Sequence, residues 1–293
     1  MPSDPRYVAA RRVLLDALDA LRPHHRALVV VGAQAVYLRT GAGDIGIAPY
    51  TTDGDLALDP SLLGDDPRLE QAMADAGFRL LEPQPDRPEP GIWIARVEVD
   101  GDEVIVPVDL IVPEAVAAPE GRRGARLGPH GRRAARRATG LEAALVDHEP
   151  MTIAALEPDD HREVEVQVAS SAALLVAKAH KIHDRLESSR PERADDKDAA
   201  DSYRLMQTNP PAAIADRLGQ LRGDPVAGPA REAAIGYVSE LFGRRGAPGV
   251  AMALRALRLA IPEAEVTAFA TGYVGRLLSE LERARLTVPR RRA

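Results

Sequence analysis

Cysteine is absent from all 293 residues. That absence excludes disulfides, thiolate zinc sites and cysteine nucleophiles, and it suits a reducing cytoplasm. Aromatic residues are scarce at 3%, too few for base-stacking surfaces of the single-strand-binding kind to dominate. No apolar run approaches the ~20 residues of a membrane span. The opening MPSDPRYVAARR has no apolar signal core, so a cytoplasmic location without a membrane partner is expected. The net charge of −6 argues against a protein coated for duplex DNA, although local basic patches stay open. Lysine is nearly missing as well. Of 38 basic residues only Lys178, Lys181 and Lys197 are lysine, and all three fall in one short stretch. Either arginine-rich codon usage and chance explain this, or a compact, strongly hydrated ammonium is needed there that a planar guanidinium cannot replace.

What is present is ordinary for a globular chain: 45% hydrophobic and 28% charged residues, enough for one large domain or two smaller ones. Residues 5–21 read as a helix with Leu14, Leu18 and Leu21 on one face. Ala27–Val31 reads as a short buried strand ended by Gly32, and Ala33–Leu38 as a helix, followed by a loop over Gly41–Pro49. Thr51–Leu58 reads as a second strand, with Asp53, Asp55 and Ala57 on one face. Asp66-Pro67 opens a helix that turns Leu69, Met73 and Ala76 inward and stops at Gly77. Ile92–Val99 and Glu103–Val112 form a hairpin about Asp100-Gly101, with Pro107 marking an edge or a bulge. From Pro113 to Gly140 no order is legible. The arginine stretch from Arg122 to Arg137 reads either as an RNA-backbone contact or as a solvated loop. Ala144–Leu156 and Arg162–Val168 read as strands. Beyond Ser170 the pattern is helical, broken at Asn209-Pro210-Pro211, Gly223–Gly228, Gly243–Gly249 and Ile261-Pro262, and the terminal PRRRA reads as a frayed end. The expected architecture is a mixed α/β domain over residues 1–168, then a helical domain over 169–293.

Residues two apart on a strand face the same way, so Asp53 and Asp55 send two carboxylates into one region. Like charges there repel unless a cation sits between them or one takes a proton. Magnesium binds through one or two carboxylates plus substrate phosphates, and a third carboxylate would complete a two-metal site. Asp109, the only acidic residue in VIVPVDLIV, is the candidate third ligand; alternatively it caps a neighbouring loop. Gly32 lets a phosphate approach the backbone at a helix start, where free N–H groups point outward. On the later helix, Leu174, Lys178, Lys181 and Arg185 recur as one stripe beside the apolar Leu175, Ile182 and Leu186. Lys178 then sits at the edge of the core, leaning over a cleft where it could neutralise a leaving pyrophosphate. Asp198 and Asp201 share a helical face. His180 and His183 read as surface or stripe-edge residues, since their spacing lacks an acidic partner.

The order of Gly32-Ala33, Asp53-Gly54-Asp55 and Asp109 resembles the nucleotidyltransferase superfamily typified by DNA polymerase beta. Its pattern is strand, Gly-Ser or Gly-Gly, helix, Asp-x-Asp, then a third carboxylate on a later strand. Thr52-Asp53-Gly54-Asp55-Leu56 is similar to the AbiEii branch, which includes the MenT-type toxins and often reads T-x-D-x-D-L. That branch also carries K-x6-R and K/R-D-x-x-D segments, matched here by KAHKIHDR from Lys178 to Arg185 and by KDAAD from Lys197 to Asp201. The resemblance implies a nucleotidyltransferase-like α/β fold, with Lys178 and Asp198 in the active site beside Asp53, Asp55 and Asp109. It also implies a nucleotide held by Gly32, Ala33 and Lys181, and two magnesium ions when a nucleoside triphosphate is bound. Transfer of a nucleoside monophosphate to RNA, foremost a tRNA 3′ end, and a toxin role opposite a cognate antitoxin follow from the same likeness. Ala33 departs from the pattern, losing a hydroxyl that could bind phosphate. Two other readings remain: the same chemistry on a small molecule such as an aminoglycoside or on a protein side chain, or a nucleotide-binding module without turnover.

Overall fold

The computed structural model describes residues 4–41, 50–118, 123–188 and 195–287. Most of the expected loop at Gly41–Pro49, Arg122 at the head of the arginine stretch and the terminal PRRRA lie outside them. Helix α1 (Pro5–Ala20) starts where the Asp4 side chain accepts a hydrogen bond from the Arg6 N–H at 2.8 Å, with Pro5 as first helical residue. Its buried Val13, Leu14 and Leu18 lie over a mixed sheet, the α1 side of which receives Gly54 beneath Leu14.

The sheet runs β3-β4-β5-β2-β1-β8-β7, with β6 alongside β5. Strand β1 (Leu28–Val31) is four buried aliphatic residues, the composition expected of a strand covered on both faces. It pairs antiparallel with β2 (Gly54–Leu58) and parallel with β8 (Glu163–Ala169). Strand β2 pairs parallel with β5 (Asp102–Pro113), which forms the hairpin with β4 (Ile92–Val99) foreseen at Asp100-Gly101. Strand β3 (Arg79–Leu80) edges β4, and β7 (His148–Ala154) closes the other side against β8. Strand β6 (Arg136–Ala138) pairs parallel with Ile111–Pro113, following β4 along the same edge of β5.

Several local expectations need correction. Pro107 does not put β5 at an edge: β5 lies inside the sheet, and Pro107 falls one residue before β2 begins to pair with it at Val108. Asp53 precedes β2 rather than lying in it. The helix after Asp66-Pro67 is α3 (Leu69–Asp75), capped at Arg68; it buries Leu69, Ala72 and Met73 and leaves Ala76 exposed. Ala144–Leu156 is not one strand but the end of α4 (Glu142–Val146) followed by β7. The described part of the arginine stretch, from Arg123, is folded onto the protein. Ala125, Leu127, Ala134 and Ala135 are buried, and Arg123, Arg133, Arg136 and Arg137 pair with Glu89, Glu70, Asp109 and Glu114.

Helices follow β8 without a further strand among the described residues. Helix α2 (Gly32–Thr40) springs from β1 and packs on α5 (Ser171–Glu187) and α6 (Asp196–Thr208). The Ser170 hydroxyl oxygen caps α5 by accepting from the Ala173 N–H at 3.1 Å. Then come α7 (Pro211–Gln220), α8 (Ala227–Phe242), α9 (Pro248–Leu257) and α10 (Glu263–Thr287), separated at each of the four expected breaks. The change from strands to helices coincides with the β8–α5 junction, and one apolar cluster runs from Tyr7 in α1 to Leu281 in α10. Among the described residues no helix is long and apolar enough to cross a membrane.

Candidate functional site

The antiparallel register sets Val31 opposite Asp55, and the parallel one sets Asp55 beside Asp109. Neighbouring strands therefore bring Asp55 and Asp109 together on one face, next to the turn where β1 becomes α2. Gly32 makes that turn with φ +69°. A Cβ on Gly32 would lie 1.9 Å from Asp55 Oδ2 and 2.9 Å from Asp55 Cβ, so rotating the carboxylate would not relieve the clash. Glycine is thus required twice, for its backbone angle and for the room it leaves. Ala33, the next residue, is buried.

Burial raises the pKa of Asp55 to about 7, helped by Asp53 and Asp109 and only partly offset by Lys181 and Arg136. Burial likewise raises the pKa of Asp109, against the lowering influence of Arg136. The Arg136 guanidinium donates to Asp109 Oδ2 twice, from Nε at 3.0 Å and from Nη2 at 2.7 Å. Asp53 is held from its other side. The buried Thr51 hydroxyl donates to Asp53 Oδ1, and Lys197 of α6 donates to Thr51 Oγ1 at 3.0 Å.

The second cluster joins α5 to α6. Lys178 Nζ donates to Asp198 Oδ1 and Asp201 Oδ2, each at 2.7 Å, and all three side chains are at most 5% exposed. Lys181 donates to Asp198 Oδ1 at 3.0 Å and Arg185 to Asp198 Oδ2 at 2.9 Å. Burial alone would lower the Lys178 pKa, but the two aspartates more than offset it and hold the ammonium charged. Burial would raise Asp198, yet Lys178 and Lys181 hold it well below the ordinary carboxylate range. Lys178 stands at the cavity wall as expected, with its charge answered inside the protein by Asp198 and Asp201. Lys181, 43% exposed, is the more open cation of the stripe.

The clusters border one cavity of about 310 Å³. Gly32, Asp55 and Arg136 line it from the sheet, and Lys178, Lys181 and Arg185 from α5, with Leu141 and Leu174 supplying apolar wall. Asp53, Asp55 and Asp109 offer only oxygen donors, a set whose chemistry fits a hard divalent cation. Among the described residues no three His, Cys, Asp or Glu side chains already stand together as a metal-holding group. Asp109 is committed to Arg136 instead.

His180 is buried, contrary to a surface placement. Its Nε2–H donates to the Ala230 carbonyl at 2.8 Å, and the His180 and His183 rings both pack on Tyr237. Sequence reasoning missed the roles of Arg136 and Thr51. Arg136 was one of many arginines in a stretch without legible order, and Thr51 was only the head of a strand. Lys197 stood out through the clustering of the lysines, but its partner did not. Compared with known proteins, the chain matches no family model and no curated protein significantly.

Proposed function

We propose that this protein is a magnesium-dependent nucleotidyltransferase that moves a nucleoside monophosphate from a nucleoside triphosphate to an acceptor hydroxyl. The observation that carries this reading is the placement of Asp55, beside Asp109 in register and against the Gly32 turn, facing the cations of α5 across one cavity. Asp53 and Asp55 would hold the ions and Asp109 would serve as third ligand or base. Magnesium, when bound, supplies charge neutralisation between these carboxylates and the phosphates. The Gly32 turn and the start of α2 would receive the phosphate oxygens through backbone N–H groups. Lys181 would meet the charge developing on the leaving pyrophosphate, and the Lys178–Asp198 pair would fix the stripe that carries it.

The half-exposed Lys181 ammonium on the cavity wall supports an anionic acceptor over a cationic small molecule. RNA, foremost a tRNA 3′ end, and a toxin role countered by an antitoxin complete the proposal through the resemblance in sequence. The test is incubation with each labelled nucleoside triphosphate, magnesium and total RNA. Label should enter RNA with the wild type and be absent with an Asp53→Ala, Asp55→Ala double variant. Equal labelling by both would sink the reading. A second reading, nucleotide binding without turnover, is favoured by Ala33 in the phosphate turn and by the engagement of Asp109. Nucleotide binding with no labelled product on RNA, protein or small molecule would select it.

A further inference from the structure

We propose that Arg136 is an exchangeable counter-ion: it neutralises Asp109 in the resting protein, and on nucleotide binding it yields Asp109 to a divalent cation and grips the polyphosphate. The inference rests on the nucleotidyltransferase reading and adds a residue and a sequence of contacts to it.

Four observations converge. Arg136 and Asp55 line the same cavity, so the guanidinium already borders the space a polyphosphate would fill. Both of its bonds go to one oxygen, Oδ2 of Asp109, so the guanidinium fork does not span the carboxylate as the stronger bidentate pair does. The pair is neither sealed nor free, with side chains 27% and 18% exposed for Arg136 and Asp109. Finally, the backbone of Arg136 is pinned on both sides, by β5 at Ile111 and by Gly124. Only the side chain need move, while Cα stays at the cavity wall.

The chemistry favours exchange over simultaneous occupancy. A divalent cation and a guanidinium compete for the same carboxylate because the two cations repel each other at close range. A polyphosphate reverses the preference, because the planar fork of arginine matches phosphate oxygens well. Arg136 therefore lowers affinity for the bare cation and raises it for the polyphosphate. Charge alone at the cavity wall gives these opposed signs, so the grip of the fork is read from the further loss when the charge is kept and the fork removed.

The test uses the full chain, Mn2+ alone followed by electron paramagnetic resonance, and inorganic tripolyphosphate with Mn2+ followed by calorimetry. Arg136→Gln should bind Mn2+ about tenfold more tightly than the wild type and tripolyphosphate with Mn2+ about tenfold more weakly. Arg136→Lys keeps the charge without the fork. It should leave Mn2+ affinity near the wild-type value and weaken tripolyphosphate binding by about threefold, and it carries the test if Arg136→Gln does not fold. Mn2+ affinity that is unchanged or lower in Arg136→Gln overturns the proposal, as does undiminished tripolyphosphate binding in either variant. If the wild type binds neither Mn2+ nor tripolyphosphate, the parent reading falls and this one with it. Wild-type binding without the opposed shifts sinks this one alone.

Discussion

Around Lys178 the charges answer one another: Lys178, Lys181 and Arg185 meet the carboxylates of Asp198 and Asp201 within hydrogen-bond distance. Around Asp55 the one guanidinium goes to Asp109 and the Thr51 hydroxyl to Asp53, and desolvation leaves Asp55 with a pKa near neutrality. Both clusters border the same cavity. The difference separates a cluster that holds the protein together from one that the protein tolerates. A buried charge with its partners in place is costly to disturb. A partly desolvated carboxylate without an ion-pair partner is costly to keep charged, which marks it as a candidate for contact with a ligand.

The sharpest way to break the comparison is to remove the central cation. Lys178→Met leaves Asp198 and Asp201 buried without their shared donor. It should cost about 3–5 kcal/mol, the range for breaking one side of a buried ion pair. Denaturant unfolding would measure it. A loss below about 1 kcal/mol would mean that Lys181 and Arg185 suffice, and that the balanced cluster is not structural.

The opposite sign is expected at the other cluster. With its pKa at about 7 in the folded chain against an ordinary value of 3.8, Asp55 favours folding most below about pH 4. That contribution drains away as pH rises from there to about 7, because the unfolded chain releases its proton first. Asp55→Asn has no proton to lose. It should match the wild type near pH 4 and exceed it at pH 8 by on the order of 2 kcal/mol. Thermal unfolding at the two pH values reads this directly. Saturating Mg2+ at pH 8 should narrow the gap by stabilising only the wild type. A variant less stable than wild type at pH 8 would show that Asp55 is satisfied inside the protein after all.

Both clusters were partly legible before any coordinates, for different reasons. Asp109 stands out as the lone acid in an apolar strand, and strand order then sets it beside Asp55. The helical repeat of four, three and four from Leu174 to Arg185 places Lys178, Lys181 and Arg185 along one stripe, and all three reach Asp198. What escaped depends on contacts that no local period encodes. Arg136 reaches Asp109 through β6, three residues long and too short to show an alternation. Alanines at the start of Ala144–Leu156 read as strand because α4 is too short to display a helical repeat. Asp53 falls outside the strand because its neighbours run out, β1 ending opposite Asp55 and β5 offering the N–H-less Pro107, and its side chain is captured locally by the Thr51 hydroxyl.

That local capture gives the smallest expected effect. Lys197, Thr51 and Asp53 form a relay in which the ammonium donates to the hydroxyl and the hydroxyl donates to the carboxylate. Thr51→Val keeps the shape and removes both bonds, which should cost about 1 kcal/mol of stability. Lys197→Met removes only the outer bond. Its ammonium lies 5.9 Å from the centre of the half-exposed Tyr50 ring and is not sealed from water, so the loss should be at most about half as large. Metal affinity separates the two variants more clearly than stability does. Without the hydroxyl, Asp53 is free to turn away from Asp55, so Mn2+ binding should weaken by about threefold in Thr51→Val. In Lys197→Met the hydroxyl still orients Asp53, and removing a nearby cation should leave Mn2+ binding equal to the wild type or slightly tighter. Equal losses of Mn2+ affinity in both variants would show that the ammonium, and not the threonine, governs how the Asp53 carboxylate is oriented.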